Sequence, residues 1–283
     1  MIFGGFLPKI WSKSKEISEA LLPGALGEGL LPKLAIFELI NIGIRSLTAL
    51  PFEYYFNFVL EARHGFNKMT TGTFISDYLK TVIMNGLSSP LINFGALWIV
   101  ENGGPNFHKY LMLFGTGCLF GFTLIYPNFI QPLFNKFEVL GKGENLLEGE
   151  VELRERIEKI AKEINFPAKE ILKMNASERS GHGNAYYFGY YKNQRIVIYD
   201  TLIKQCSNDE IEAIIMHELG HWHYNHNVQS LMVTALNIAG ICYALKFTVY
   251  NEDIYKAFGF PKEAFLGFSL MGFLIGPVSL FVE

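Results

Sequence analysis

Five apolar runs, each near the length that crosses a bilayer, set the main limit on how this chain can fold. They cover about Leu34 to Leu60, Thr81 to Val100, Tyr110 to Ile130, Val228 to Tyr250 and Ala264 to Val282. A membrane helix needs roughly 20 apolar residues in succession. As a soluble protein the chain would have to bury all five, and its composition argues against that. Of 283 residues, 50% are hydrophobic and 18% charged, whereas soluble domains carry about 25% charged residues. Mean hydropathy is +0.20. The expected fold is mainly α, a polytopic integral membrane protein in contact with the lipid bilayer. Glu38, Arg45 and Glu53 fall inside the first run. Ionisable groups at that depth should face other helices or a wet cavity, and the spacing lets Glu38 pair with Arg45 along one face. Basic residues flank the runs on both sides, so they assign no orientation.

A polar insert from about Asn135 to Asn227 interrupts the apolar pattern. Gly141, Gly143 and Gly149 read as a flexible linker. Leu153, Ile157, Ile160, Ala161 and Ile164 then recur at helical spacing, which predicts an amphipathic helix over Glu150 to Ile164. Three β-like runs follow, Ile171 to Met174, Ala185 to Tyr191 and Ile196 to Tyr199, the last two spaced to form a hairpin. Ser207 and Glu210 form a capping box that starts another helix. The net charge of −3 is spread along the chain, which leaves no basic footprint and predicts no nucleic-acid partner. Cys118, Cys206 and Cys242 have no metal or disulfide spacing and read as reduced thiols. The N-terminus lacks the basic start and cleavage site of a signal peptide.

The helix opened by Ser207 carries His217-Glu218-Leu219-Gly220-His221. This H-E-x-x-H spacing puts two imidazoles on one helix face, able to share a zinc ion, with Glu218 beside the metal and free to act as a base. Such a site needs a third protein ligand and an open position for water. The metal's part would be to acidify that water and polarise a carbonyl. Glu218 would move the protons, and peptide hydrolysis is the reaction the arrangement suits. Asn184, Ala185 and Tyr186 open a strand that can hold an extended peptide by strand addition; the competing reading is an aromatic strand packed on the helix. His182, in the loop before it, is a candidate to orient substrate or stabilise an oxyanion, against a loop-fixing hydrogen bond. His223 and His226 lie just beyond the metal pair on what reads as the same helix, the first solvated, the second capping or packing near the helix end.

These residues, taken in order, resemble the type I CAAX prenyl proteases. The matching runs are Leu47 to Tyr54, Glu61 to Lys68, Pro132 to Phe137, Ser177 to Ser180 leading into Asn184-Ala185-Tyr186, Arg195 to Leu202, His217 to Trp222, and Ala257 to Phe260. The resemblance implies a helical ring in the endoplasmic reticulum membrane, closed at one end by a small α+β zinc-peptidase domain. It implies residues 1–136 as the membrane domain and 137–283 as the peptidase domain with two further spans. It also implies one zinc ion on His217 and His221, with Glu218 as catalytic base, and removal of the last three residues from prenylated protein or peptide C-termini.

Departures from the family pattern accompany the match. The family's third ligand is a Glu in an E-x-x-x-D run after the last span, whereas Glu252, Glu263 and Glu283 each lack an Asp four positions on. Gly183 replaces a Ser usual between His182 and Asn184. The chain is therefore expected to be a fragment lacking N-terminal spans and the third ligand, and to turn over poorly alone. Other readings stay open: a quality-control peptidase for membrane proteins using the same metal site, a catalytically dead scaffold and, from the spans alone, a transporter, which leaves the peptidase helix unexplained. Zinc retention separates enzyme from scaffold, because two His alone should lose metal to a mild chelator.

Overall fold

The computed structural model describes residues 5–142, 146–189 and 193–279, with side chains described as far as Gly272. In chain order the helices are α1 (Phe6–Leu21), α2 (Ala25–Glu28), α3 (Leu30–Tyr55), α4 (Thr71–Asn102) and α5 (Phe107–Ile125). The insert supplies β1 (Phe137–Val139), α6 (Glu150–Glu163), β2 (Ala168–Met174), β3 (Ala185–Phe188), β4 (Gln194–Tyr199), α7 (Asp200–Gln205) and α8 (Asn208–His223). Helices α9 (His226–Thr248), α10 (Glu252–Phe258) and α11 (Ala264–Ser279) follow. Two compact units result, one from Met1–Leu50, Tyr78–Leu119 and Val233–Glu283, the other from Pro51–Asp77 and Phe120–Met232.

The first unit is helical. Four helical stretches are long and apolar enough to cross a membrane: Leu30–Glu61, Thr71–Asn102, Gly104–Leu133 and His226–Thr248. The first and third reach that length by running on from α3 and α5 into π-helical turns. The fifth expected crossing falls short among the described residues, because α11 gives 16 residues and Val282 lies outside them. Along α4, Leu79, Ile83, Leu87 and Leu91 are all exposed at four-residue spacing. Such an aliphatic stripe suits contact with hydrocarbon. Inside the unit, Trp11 and Phe37 meet edge to face with centroids 5.8 Å apart, and Phe265 packs on both. Gly267 lets α11 approach Tyr255, since a Cβ there would stand 2.0 Å from the phenol oxygen.

Glu38 departs from its expected pairing. Its carboxylate accepts from Asn93 Nδ2 at 2.6 Å and Ser89 Oγ at 3.2 Å, both on α4, instead of from Arg45. Arg45 lines the same cavity of about 470 Å³, together with Asn41 and Asn93. Neutral amide and hydroxyl donors on a neighbouring helix have displaced the intrahelical ion pair.

The second unit is built on a four-stranded sheet in the order β1-β2-β4-β3. β1 and β3 run antiparallel to their neighbours, while β2 and β4 are parallel. The expected hairpin is β3 and β4, with Ala185 opposite Ile198; Tyr190, Tyr191 and Lys192 lie outside the described residues. One sheet face buries Ile171, Ala185, Tyr187, Ile196 and Ile198 against Leu153 and Ile157 of α6 and Ile211, Ile215 and Leu219 of α8. The opposite face gathers Met174 and Val197 with Tyr186 and Phe188. Lys173 and Glu150 form a buried ion pair at 2.7 Å between β2 and the start of α6. Gly141 and Gly149 have positive φ, and Gly143 of the expected linker is outside the described residues. All three cysteines are free.

Candidate metal centre

Helix α8 starts where its sequence says it should. Ser207 Oγ accepts from the Glu210 amide, and the Glu210 carboxylate accepts from the Ser207 amide at 2.8 Å. Ile211, Ile215 and Leu219, four residues apart, bind the helix to the sheet. That burial turns His217 and His221 to the other side. Their Nε2 atoms stand 3.1 Å apart. Two imidazole nitrogens, each about 2.0–2.1 Å from a tetrahedral zinc, would be roughly 3.3 Å apart, so the pair fits the ion nearly as it stands. Glu218 belongs to the same group, in which all candidate ligand atoms lie within 4.8 Å of one another. His217 is exposed and Glu218 and His221 are half-buried, so the centre is open to a ligand from outside.

The helix ends sooner than its sequence suggests. Tyr224 and Asn225 form a turn, Asn225 at φ 56°, and His226 opens a separate helix, α9. The turn carries the His226 ring back against His221, with Nδ1 to Nδ1 at 2.7 Å. His223 is exposed, as expected.

β3 lies beside α8, packed through Ala185 and Tyr187. It is one of the sheet's two edge strands, and among the described residues it pairs with β4. The Tyr199 amide donates to the Asn184 carbonyl at 3.0 Å, so Asn184 faces β4. Alternation along the ladder then turns the backbone groups of Ala185 and Tyr187 outward. The outward Ala185 amide donates to Asn184 Oδ1 at 2.9 Å. The Tyr186 ring lies on the sheet face away from α8, where its oxygen accepts from Gln131 Nε2 at 2.8 Å. Burial pushes the Tyr186 phenol above its ordinary range, against the smaller effect of Gln131, which keeps it neutral.

His182 is exposed in the loop before β3. Its Nε2 meets Glu61 at 3.0 Å, and its ring stacks on Phe66 with centroids 4.1 Å apart. The Gly181 amide donates to the Phe66 carbonyl at 2.6 Å and the Lys68 amide to Arg179 at 3.2 Å. Arg179 grips Asp77 with two nitrogens, at 2.8 and 3.3 Å. The loop before β3 is thus laced to residues 61–68. Spacing alone gave no hint that Glu61 and Phe66 are the partners of His182; their only signal was to fall in a family-like run.

Comparison with known proteins agrees with this architecture. Residues 1–136 match the model of the CAAX prenyl protease N-terminal domain, described as five membrane helices, and residues 148–282 match peptidase family M48. The chain belongs to the CAAX prenyl protease family of M48 peptidases. It is 41% identical to the CAAX prenyl protease 1 homolog of Oryza sativa over 91% of this chain and 58% of that protein. The Arabidopsis thaliana homolog is 40% identical, over 94% and 61% respectively. The crystal structure of S. mikatae Ste24p matches with a TM-score of 0.84 at 32% identity, covering 97% of this chain and 65% of that one. The chain thus spans about three fifths of the length of these relatives. It is a multi-pass membrane protein, mainly α with a small sheet. Membership of a metallopeptidase family implies a metal cofactor, and the paired imidazoles are a donor set that fits one.

Proposed function

We propose that this chain carries the metal site and the base of a zinc endopeptidase in the endoplasmic reticulum membrane, which removes the C-terminal tripeptide of prenylated Cys-a-a-X proteins. Residues 1–136 serve as its membrane domain and 137–283 as its peptidase domain. The observation that carries this reading is the Nε2 pair of His217 and His221, 3.1 Å apart with Glu218 alongside. One zinc ion held there would acidify the attacking water and polarise the scissile carbonyl. Glu218 takes a proton from that water and returns one to the leaving amine. β3, an edge strand of the sheet beside α8, pairs with an extended substrate by strand addition, which fixes its register next to α8. Asn184 and Tyr186 brace that strand from the loop before it and from the far sheet face. His182, held by Glu61 and Phe66, orients the substrate from the adjoining loop.

The test is cleavage of a farnesylated Cys-a-a-X peptide by the detergent-purified chain, beside a Glu218→Gln variant and a chelator-treated sample. Slow cleavage that disappears in both controls supports the reading. Cleavage that persists in Glu218→Gln would sink it. A chain that loses its zinc to a mild chelator and leaves the peptide uncut would favour the scaffold.

A further inference from the structure

We infer that His226 is a positioning residue for the metal centre: its Nδ1 accepts a hydrogen bond from Nδ1 of His221 and holds that ring with Nε2 aimed at the ion. The inference rests on the reading of His217 and His221 as ligands.

The geometry leaves the two nitrogens of His221 with different tasks. Nε2 faces Nε2 of His217 at 3.1 Å. Nδ1 faces His226 Nδ1 at 2.7 Å. A neutral imidazole that binds a metal through Nε2 carries its proton on Nδ1, so His221 must donate there. His226 then accepts through the Nδ1 lone pair and keeps its own proton on Nε2. Ligating histidines commonly donate their second nitrogen in this way, and the partner sets both tautomer and ring orientation.

The chain holds His226 in place by means unrelated to the metal. The Tyr224–Asn225 turn is closed by the Asn225 amide on the Trp222 carbonyl at 2.9 Å, and Gln229 Nε2 donates to the Tyr224 carbonyl at 2.9 Å. Asn225 tolerates the left-handed backbone the turn demands. The Tyr224 ring stacks on His226 at 5.9 Å and limits its rotation. A continuous helix would have carried residue 226 away from residue 221, since five residues is well past one turn. The break in the helix therefore brings the third histidine to the second.

The experiment measures cobalt and zinc affinity by chelator competition on the detergent-purified chain, with the visible spectrum of the cobalt form as a second readout. His226→Leu removes the acceptor, while His226→Asn puts an amide oxygen where Nδ1 stood. We expect His226→Leu to weaken metal binding roughly 10–100-fold and to shift the cobalt bands. His226→Asn should recover most of both. Unchanged affinity in His226→Leu overturns the inference. Loss in both variants, as severe as in His217→Ala, overturns it too, because it would make His226 a direct ligand. A wild-type chain that binds no more metal than His217→Ala removes the metal-centre reading itself, and this inference with it.

Discussion

His217 and His221 bring their Nε2 atoms within 3.1 Å of each other on the face of α8 opposite the buried Leu219. Two nitrogen lone pairs cannot share that gap comfortably unless a proton or a cation lies between them. Packing of the opposite face against the sheet holds the pair together, so the geometry for a metal is set by the hydrophobic core. Glu218 sits between the two proposed ligands in sequence, yet the role proposed for it is separable from theirs.

That separation gives the first prediction. Glu218→Gln should keep the zinc content of the wild type while turnover falls by about 10²-fold or more, the usual contribution of a positioned base. His221→Ala should lose both metal and turnover. Elemental analysis of each purified variant beside the peptide-cleavage assay checks the split. Loss of zinc in Glu218→Gln would make this carboxylate a ligand and refute the assigned role.

Substrate pairing with β3 makes a periodic prediction. Along an edge strand every second residue turns its backbone groups away from the partner strand, so alternate residues of an extended peptide should form hydrogen bonds there. A series of farnesylated peptides, each N-methylated at one position, should show losses of roughly 1–3 kcal/mol in kcat/KM at every second position on one side of the cut. A flat response along the series would exclude strand addition.

Local signals made much of this unit legible in advance. The α6 stripe, the Ser207–Glu210 box and the hairpin that became β3 and β4 each depend on residues within a few positions of one another. What stayed hidden was nonlocal. Three-residue β1 is too short to read as a strand and exists by pairing with β2. The parallel match of β2 with β4 depends on the chain between them. Likewise His182 meets Glu61 across 121 positions, and Glu38 meets Asn93 across 55. The turn that splits α8 from α9 is carried by a single left-handed Asn225, a weak signal within an otherwise helical pattern.

The buried pair of Lys173 and Glu150 offers a stability test away from the metal. Glu150 is 0% and Lys173 9% exposed at the side chain. Lys173→Met leaves an uncompensated charge, which costs about 3–5 kcal/mol. The double variant Lys173→Met with Glu150→Gln removes both charges, keeps a side-chain oxygen that can accept from the Gly141 and Leu147 amides, and should recover most of that loss. Thermal unfolding of the single and double variants reads this directly. A double variant no better than Lys173→Met would mean the site depends on shape more than on charge.

Acid should loosen the start of α7 through Asp200. Burial pushes the Asp200 carboxyl upward, but hydrogen bonds from the Ser177 hydroxyl and amide together with the Lys204 ammonium at 3.0 Å outweigh it and hold its pKa below the ordinary carboxylate value. A depressed folded pKa means that the unfolded chain takes up the proton first as pH falls. The stabilisation from Asp200 is then fully present above the unfolded value of about 3.9 and drains away as pH drops through the lower folded value. Asp200→Asn lacks this linkage. Its melting temperature should therefore lie below that of the wild type at pH 7, and the two should converge below about pH 4. A gap that stays constant across that range would show that Asp200 acts through shape and hydrogen bonding alone, with no contribution from its charge.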